Sequence, residues 1–316
     1  MQEENGRVPW VSFCMSTYKR PDLLRQALTG ILEQTFTEFE VVVSDNDPEK
    51  SAEPVVKAIG DPRLHYFSNG INLGMIASYN KSIERARTPY IVMITDDDPV
   101  TGNFLAEMHA LYTEQPGYSM YCGFPRAGKP AGNVETITAT DFITEILDVK
   151  KTPEILWSSS VMRKVDALAI GGMPDRGSPH LADHAMIAMT GSQQGAVVIN
   201  RMFSFITLHD NNFSKFNFHY YTTGCQVFYE RMVDFCRHHG NYRAEHEVVV
   251  RHIGHWFIVN MFNLKKFYTR KKDQGMLDQV NACAAELIRF PFMRPFRAAY
   301  ARKQAIYRVK KILHLL

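Results

Sequence analysis

The hydrophobic pattern of the first third of this chain switches period repeatedly, and that alternation constrains its fold more than any other feature. Short apolar runs rich in β-branched residues, Trp10–Met15, Phe39–Ser44, Leu64–Phe67 and Tyr90–Ile94, alternate with stretches whose apolar residues fall at helical spacing. Between the first two runs, Leu23, Leu24, Ala27, Leu28, Ile31 and Leu32 line one helical face behind a Pro21-Asp22 start signal. Ala52–Ile59 and Met75–Ala86 read the same way. A strand that is apolar on both faces needs cover on both, and a helix between consecutive strands supplies it while returning the chain for a parallel neighbour. The prediction is an α/β fold with a mostly parallel sheet flanked by helices. Such sheets bind ligands outside the carboxyl ends of their strands.

The pattern continues less regularly. Gly102–Glu114 reads as helix, Ser119–Phe124 as strand, and Pro125–Asn133, with Gly128, Pro130 and Gly132, as a loop. Glu154–Met162 reads as strand and Arg163–Ile170 as a short helix stopped by Gly171-Gly172. After Asn217 the β signal fades, leaving helices at Tyr220–His239, Glu245–Tyr268, Gln274–Phe290 and Arg297–Leu316. A length of 316 residues suits one α/β domain, placed at 8–215, plus a helical appendage at 216–316.

Charge divides the chain in the same way. From Asn263 onward there are 13 Lys and Arg against 3 Asp and Glu, a local net of +10. The overall charge is +3, so the remainder carries +3 − 10 = −7. In the last helix, Ile306, Val309, Ile312, Leu313 and Leu316 share a face, while Arg302, Lys303, Arg308, Lys310 and Lys311 are basic. Such a helix either lies on an anionic membrane surface or packs on the body with its basic face solvated. Nucleic acid is not expected, because no recognition motif accompanies the charge. Five cysteines, an odd number with no CxxC, argue for packed or free thiols in a reducing compartment. The polar, acidic start Met1–Arg7 has no signal-peptide character, and no apolar run is long enough to span a bilayer. The expectation is a cytoplasmic protein, soluble or attached peripherally at the inner face of the cell membrane.

Polar residues gather where the strands end. Ser16-Thr17-Tyr18-Lys19-Arg20-Pro21 follows the first, Ser44-Asp45-Asn46-Asp47 the second and Thr95-Asp96-Asp97-Asp98 the fourth. Three acids at the mouth of a buried strand need water or a cation. Hard divalent ions such as Mg2+ or Mn2+ prefer carboxylate oxygen and share their coordination with substrate phosphates. The alternative is an acidic turn leading into the next helix.

These segments together resemble the inverting glycosyltransferase family two, which has the GT-A fold, a Rossmann-like sheet. The likeness runs from Val11–Leu24 through Gln34-Thr35-Phe36, Ser44–Asp47, Asn72-Leu73-Gly74 with Asn80, and Asp96–Asp98. It continues through Gly171-Gly172-Met173, Asp183, and His209 with Asn212 and Ser214, covering roughly residues 8–215. Each motif is weak alone; their order and spacing are specific.

The resemblance implies roles. Thr17, Tyr18, Arg20 and Asp45 match the pocket for the nucleotide base and ribose, with Asp45 suited to accept from a uracil imide; the alternative for Asp45 is an Asx turn. Asn72 and Gly74 match the segment that lets backbone approach the donor, unless Gly74 simply starts a helix. Asp96, Asp97 and Asp98 correspond to the DxD motif. Counting back from Gly102-Asn103 favours Asp97 as the direct metal ligand, alongside Asp98 and the late His209. Asp183 matches the acceptor-side base, or else caps the helix that follows. The family usually has a Glu-Asp pair there, and Ala182 replaces its first acid. Trp157-Ser158-Ser159-Ser160 matches the acceptor side, or is a core strand.

The implied activity is transfer of a sugar from a nucleotide-diphosphate donor, best read as a UDP-sugar, to a hydroxyl of a saccharide or lipid-linked saccharide, with inversion. A divalent Mn2+ or Mg2+ would assist. A sugar nucleotidyltransferase would carry a Gly-rich phosphate loop near the start, which Ser16–Pro21 does not resemble. A catalytically degenerate nucleotide-sugar binder stays open because of Ala182. Dinucleotide oxidoreduction is disfavoured by the lack of GxGxxG after the first strand.

Overall fold

The structure, a computed structural model, describes residues 8–175, 177–207, 218–313 and 315. The chain forms two compact units. The first comprises Met1–Ile146, Lys150–Asp175 and Asp183–Thr207, and the second Leu147–Val149, Arg176–Ala182 and Leu208–Leu316.

The first unit is an α/β fold around one sheet. Its strands are β1 (Val11–Thr17), β2 (Phe39–Asp45), β3 (Leu64–Ser68), β4 (Tyr90–Ile94), β5 (Met120–Gly123), β6 (Val134–Ile137), β7 (Ser160–Arg163) and β8 (Ala196–Ile199). They lie in the order β3-β2-β1-β4-β7-β5-β8-β6. β1 pairs in parallel with β2 and β4, and β2 with β3. Every residue of β2 and β4 is buried, as an apolar strand covered on both faces must be. The cover includes α1 (Pro21–Leu32), α2 (Glu53–Ile59), α3 (Met75–Arg85) and α4 (Phe104–Glu114). In α1 only Leu24, Leu28 and Ile31 are fully buried, a stripe at helical spacing.

Beyond β4 the sheet is mixed: β7 runs antiparallel to β4 and β5, β8 parallel to β5, and β6 antiparallel to β8. The expected strand at Glu154–Met162 begins only at Ser160. Trp157–Ser159 makes a single 3-10 turn, and the seryl hydroxyls close it: Ser160 Oγ donates to the Trp157 carbonyl at 2.9 Å and Ser159 Oγ to that of Gly123 at 2.8 Å. Two short helices, α5 (Phe142–Ile146) and α6 (Lys164–Ala169), and the longer α7 (Ala182–Gln194) complete the helices that precede β8.

The second unit contains α8 (His219–Arg237), α9 (Tyr242–Arg270), α10 (Gln274–Leu287) and α11 (Arg297–Ile312). α9 packs on the other three. Gly254 of α9 is required by that packing, since a Cβ there would stand 2.5 Å from the Phe296 ring. Asp273 caps α10 by accepting from the Met276 amide at 3.0 Å. α11 buries only Tyr307 and leaves Ile306, Val309, Ile312 and Leu313 exposed. Cys14 and Cys122 belong to the first unit and Cys225, Cys236 and Cys283 to the second; all five are free and buried. Among the described residues no helix is long and apolar enough to cross a membrane.

Candidate active site at the strand ends

The parallel register builds the site. Thr17 stands beside Asp45 across β1 and β2, and Met15 beside Ile94 across β1 and β4. The chain therefore leaves the sheet at Thr17, Asp45 and Ile94 along one edge, and each exit carries polar residues. This is the edge where an open α/β sheet takes its ligands.

At the centre two acids share one arginine, and a third follows them in the chain. Arg20 Nη1 lies 3.2 Å from both Asp96 Oδ1 and Asp97 Oδ2, and Thr17 Oγ1 donates to Asp96 Oδ2 at 2.8 Å. Thr95 caps the turn, its Oγ1 accepting from the Asp98 amide at 3.2 Å, while the Asp98 carboxylate accepts from the Thr207 amide at 3.0 Å. Burial pushes the Asp96 carboxyl above its ordinary value against the pull of Arg20 and Thr17, and the charge of Asp97 adds to the rise. Burial likewise raises Asp98, with further contributions from Asp97 and from Asp183. Buried acids crowded in this way are the electrostatic condition a divalent cation relieves. The donor set fits such an ion in charge and oxygen chemistry. It is not a finished cage, because among the described residues no three His, Cys, Asp or Glu side chains converge as one. A cation here would take its remaining ligands from phosphate or water, as Mg2+ commonly does.

Asp183 lies in the first turn of α7, partly exposed, with His184 Nε2 3.9 Å from its Oδ2. α7 begins at Ala182, so Asp183 is inside the helix rather than at its cap. Its charge is the last of the contributions that act on the Asp98 carboxyl.

Other positions carry a more structural burden. Asp45 is wholly buried and accepts from the Asp47 amide at 3.0 Å, the Ala52 amide at 3.1 Å and the Tyr66 hydroxyl at 3.0 Å. That is an Asx turn which also ties the start of α2 to β3, and it occupies three of about four lone-pair directions. Gly74 does start a helix: it precedes α3 at φ +82°, where glycine is favoured, and its amide donates to Asn72 Oδ1 at 2.9 Å. Tyr18 is exposed. Ser158, Ser159 and Ser160 are fully buried with their hydroxyls bonded inside the core, in line with the core reading of that segment. His209, with Asn212 and Ser214, lies outside the described residues.

Sequence reasoning passed over an amide lattice. Asn46 Nδ2 donates to Asn72 Oδ1 at 2.7 Å, and Asn46 Oδ1 accepts from Asn69 Nδ2 at 3.2 Å and from the Leu73 amide at 2.9 Å. The signal was a polar cluster after the third strand, Ser68-Asn69-Gly70, like those after its neighbours. Two other motifs find structural partners. The Gln34 side chain donates to the Thr101 carbonyl at 2.7 Å and accepts from the Leu105 amide at 2.9 Å, fastening the loop behind the acids. Asn80 bridges both backbone groups of Met173 at 2.8 and 3.0 Å. Gly172 makes room for it: at φ +70°, a Cβ would stand 2.5 Å from Asn80 Oδ1.

Comparison with known proteins agrees with this architecture. The fold is that of GT-A glycosyltransferases: the crystal structure of Staphylococcus aureus TarS 1–349 in complex with UDP-GlcNAc superposes with a TM-score of 0.63 at 14% identity, covering 88% of this chain and 80% of that one. Residues 12–163, from β1 through β7, match the family model Glycosyl transferase family 2. WcaA of Escherichia coli (strain K12), named as a glycosyl transferase of colanic acid biosynthesis, is 34% identical over 111 residues, 33% of this chain and 40% of WcaA. The GalNAc(5)-diNAcBac-PP-undecaprenol β-1,3-glucosyltransferase of Campylobacter jejuni is 27% identical over 104 residues, 32% of this chain and 34% of that enzyme. The likeness thus spans well under half the length of these relatives. Asp183 lies beyond the matched segment.

Proposed function

We propose that the chain transfers a sugar from a nucleotide-diphosphate sugar, best read as a UDP-sugar, to a hydroxyl of a saccharide or lipid-linked saccharide, with inversion. The pathway class would be that of cell-surface polysaccharides or lipid-linked glycans, as the names of the relatives suggest. One observation supports the reading: Asp96, Asp97 and Asp98 gather with Arg20 where the parallel strands end, an acidic cluster suited to a metal-bound diphosphate.

In this reading Tyr18 and the Asn46–Asn69–Asn72 lattice border the nucleoside, and Asp45 holds the pocket floor in shape. Arg20 orients Asp96 and Asp97. Asp97 and Asp98 would hold Mn2+ or Mg2+, with Asp96 behind them, and the ion would neutralise the departing diphosphate. Asp183 takes the proton of the acceptor hydroxyl as its oxygen bonds to the anomeric carbon, while the bond from that carbon to the diphosphate oxygen breaks and the electron pair leaves with the nucleotide. Opposite placement of base and leaving group produces inversion. The basic, apolar-faced α11 would rest on the anionic inner face of the cell membrane.

Thermal shift and calorimetry with UDP and UDP-sugars test the donor assignment. With Mn2+, a donor at ~100 times its dissociation constant should add ~2.7 kcal/mol of stability. Chelation, or Asp97→Ala, should remove most of that gain. Equal donor affinity under both conditions would overturn the metal assignment. Donor binding without transfer to any acceptor would leave a degenerate binder.

A further inference from the structure

The second unit holds a cavity of about 680 Å³ among α9, α10 and α11, a volume within the ~300–1,000 Å³ range of small-molecule sites. Its walls are two helical stripes. α10 presents Gln274, Leu277, Asn281, Ala285 and Ile288 at its end; α11 presents Tyr300, Gln304, Tyr307, Arg308 and Lys311. Lys265 of α9 and Arg289 complete the lining. Among the described residues, four cations thus line it and no carboxylate does.

Lys265 gives the cavity its chemistry. It is 1% exposed, and its ammonium donates to Gln304 Oε1 at 2.7 Å and to the Tyr300 hydroxyl at 2.9 Å. Both partners are neutral. No described carboxylate makes an ion pair with Lys265, Arg289, Arg308 or Lys311. Buried lysines are ordinarily paired, and an unneutralised ammonium beside a second cation is costly. The cost is visible: burial, with Arg308 adding to it, brings Lys265 down to about 8. Leu277, Ala285 and Ile288 make part of the wall apolar, so the space suits an anion carrying a carbon chain better than a bare ion.

We propose that this cavity binds a phosphate monoester or diphosphate group, with Lys265, Arg289, Arg308 and Lys311 neutralising it and α10 covering the adjoining carbon chain. The site is separate from the acid cluster and does not depend on the glycosyl-transfer reading. The group is either free in solution or the headgroup of a lipid, and the test separates the two.

The full-length chain, stripped of divalent cations so that the acid cluster has no means to hold a diphosphate, is titrated calorimetrically with inorganic pyrophosphate. The same protein is floated at high salt with phosphatidylcholine vesicles carrying equal amounts of either phosphatidic acid or phosphatidylglycerol, so that attraction of the basic α11 face to anionic lipid is suppressed and common to both. Lys265→Met and Arg308→Gln are each expected to weaken binding by about 10-fold or more, since a hydrogen bond to a charged group contributes ~1.5–3 kcal/mol. Arg308 is exposed, so its variant keeps the test valid if Lys265→Met fails to fold. A control removes equal charge outside the cavity, at Arg302 or Lys310. Saturable pyrophosphate binding lost in the cavity variants assigns a soluble phosphate. Recruitment by phosphatidic acid alone, lost in the same variants, assigns a lipid headgroup. Affinity should also fall as pH rises through about 8 and Lys265 loses its proton. The titratable groups facing it are Tyr300, Tyr307, Arg308, Lys311 and Arg289. No binding in either arm, or equal loss in the controls, overturns the proposal.

Discussion

In the proposed transfer, the acceptor oxygen can attack an anomeric carbon only as its proton departs, and Asp183 is the proposed base. Ala182 leaves it without the neighbouring acid usual in the family the sequence resembles. Asn preserves size and helix position but accepts no proton, so Asp183→Asn should cut turnover ~100- to 10,000-fold, the usual span of general-base catalysis. Donor affinity and melting temperature should stay near their original values, because Asp183 is not the helix cap and has no part in the Arg20 cluster. Turnover close to normal would move the role elsewhere, with Asp175 the next carboxylate in the chain. An early melt would instead make the residue structural.

α11 sets two chemistries back to back. The stripe Tyr300–Gln304–Tyr307 faces the fold, while Ile306, Val309, Ile312 and Leu313 face outward among lysines and arginines. An apolar helical face left exposed beside positive charge suits an anionic bilayer surface. The chain should float with phosphatidylglycerol vesicles at low salt and less at high salt, as the Debye length shortens. Replacing Ile306, Val309 and Ile312 with serine should abolish flotation, whereas Lys265→Met should leave it intact; no flotation at low salt would refute the assignment. This face was readable from helical spacing alone, as were β1 to β4, because an apolar run or a 3.6-residue stripe is a local signal. β5 was legible too, but β6, β8 and the late start of β7 were not. β6 is a mostly exposed edge segment, Val134-Glu135-Thr136-Ile137, whose pairing partner β8 lies far along the chain. β7 is cut short by seryl hydroxyls whose partners only the fold supplies. The site divides likewise. Thr17, Arg20 and Asp96–Asp98 follow strand ends and were legible, whereas the Asn46–Asn69–Asn72 lattice depends on the register of β2 against β3.

The whole molecule is two units with opposite charge, an acidic strand-end site in one and a cationic cavity in the other. Each also carries its own buried thiols. Burial pushes Cys14 and Cys236 up to about 12 and raises Cys122, Cys225 and Cys283 as well. Only the thiolate is nucleophilic, so alkylation must wait for a segment to open. The cysteines are therefore built-in clocks: Cys14 and Cys122 time the opening of the sheet, and Cys225, Cys236 and Cys283 that of the helices. Peptide-resolved mass spectrometry after an alkylation pulse reads the two sets separately. A nucleotide sugar with Mn2+ should slow the first set, and pyrophosphate without metal the second. A ligand that slowed the wrong set would reveal its true address without any structure of the complex.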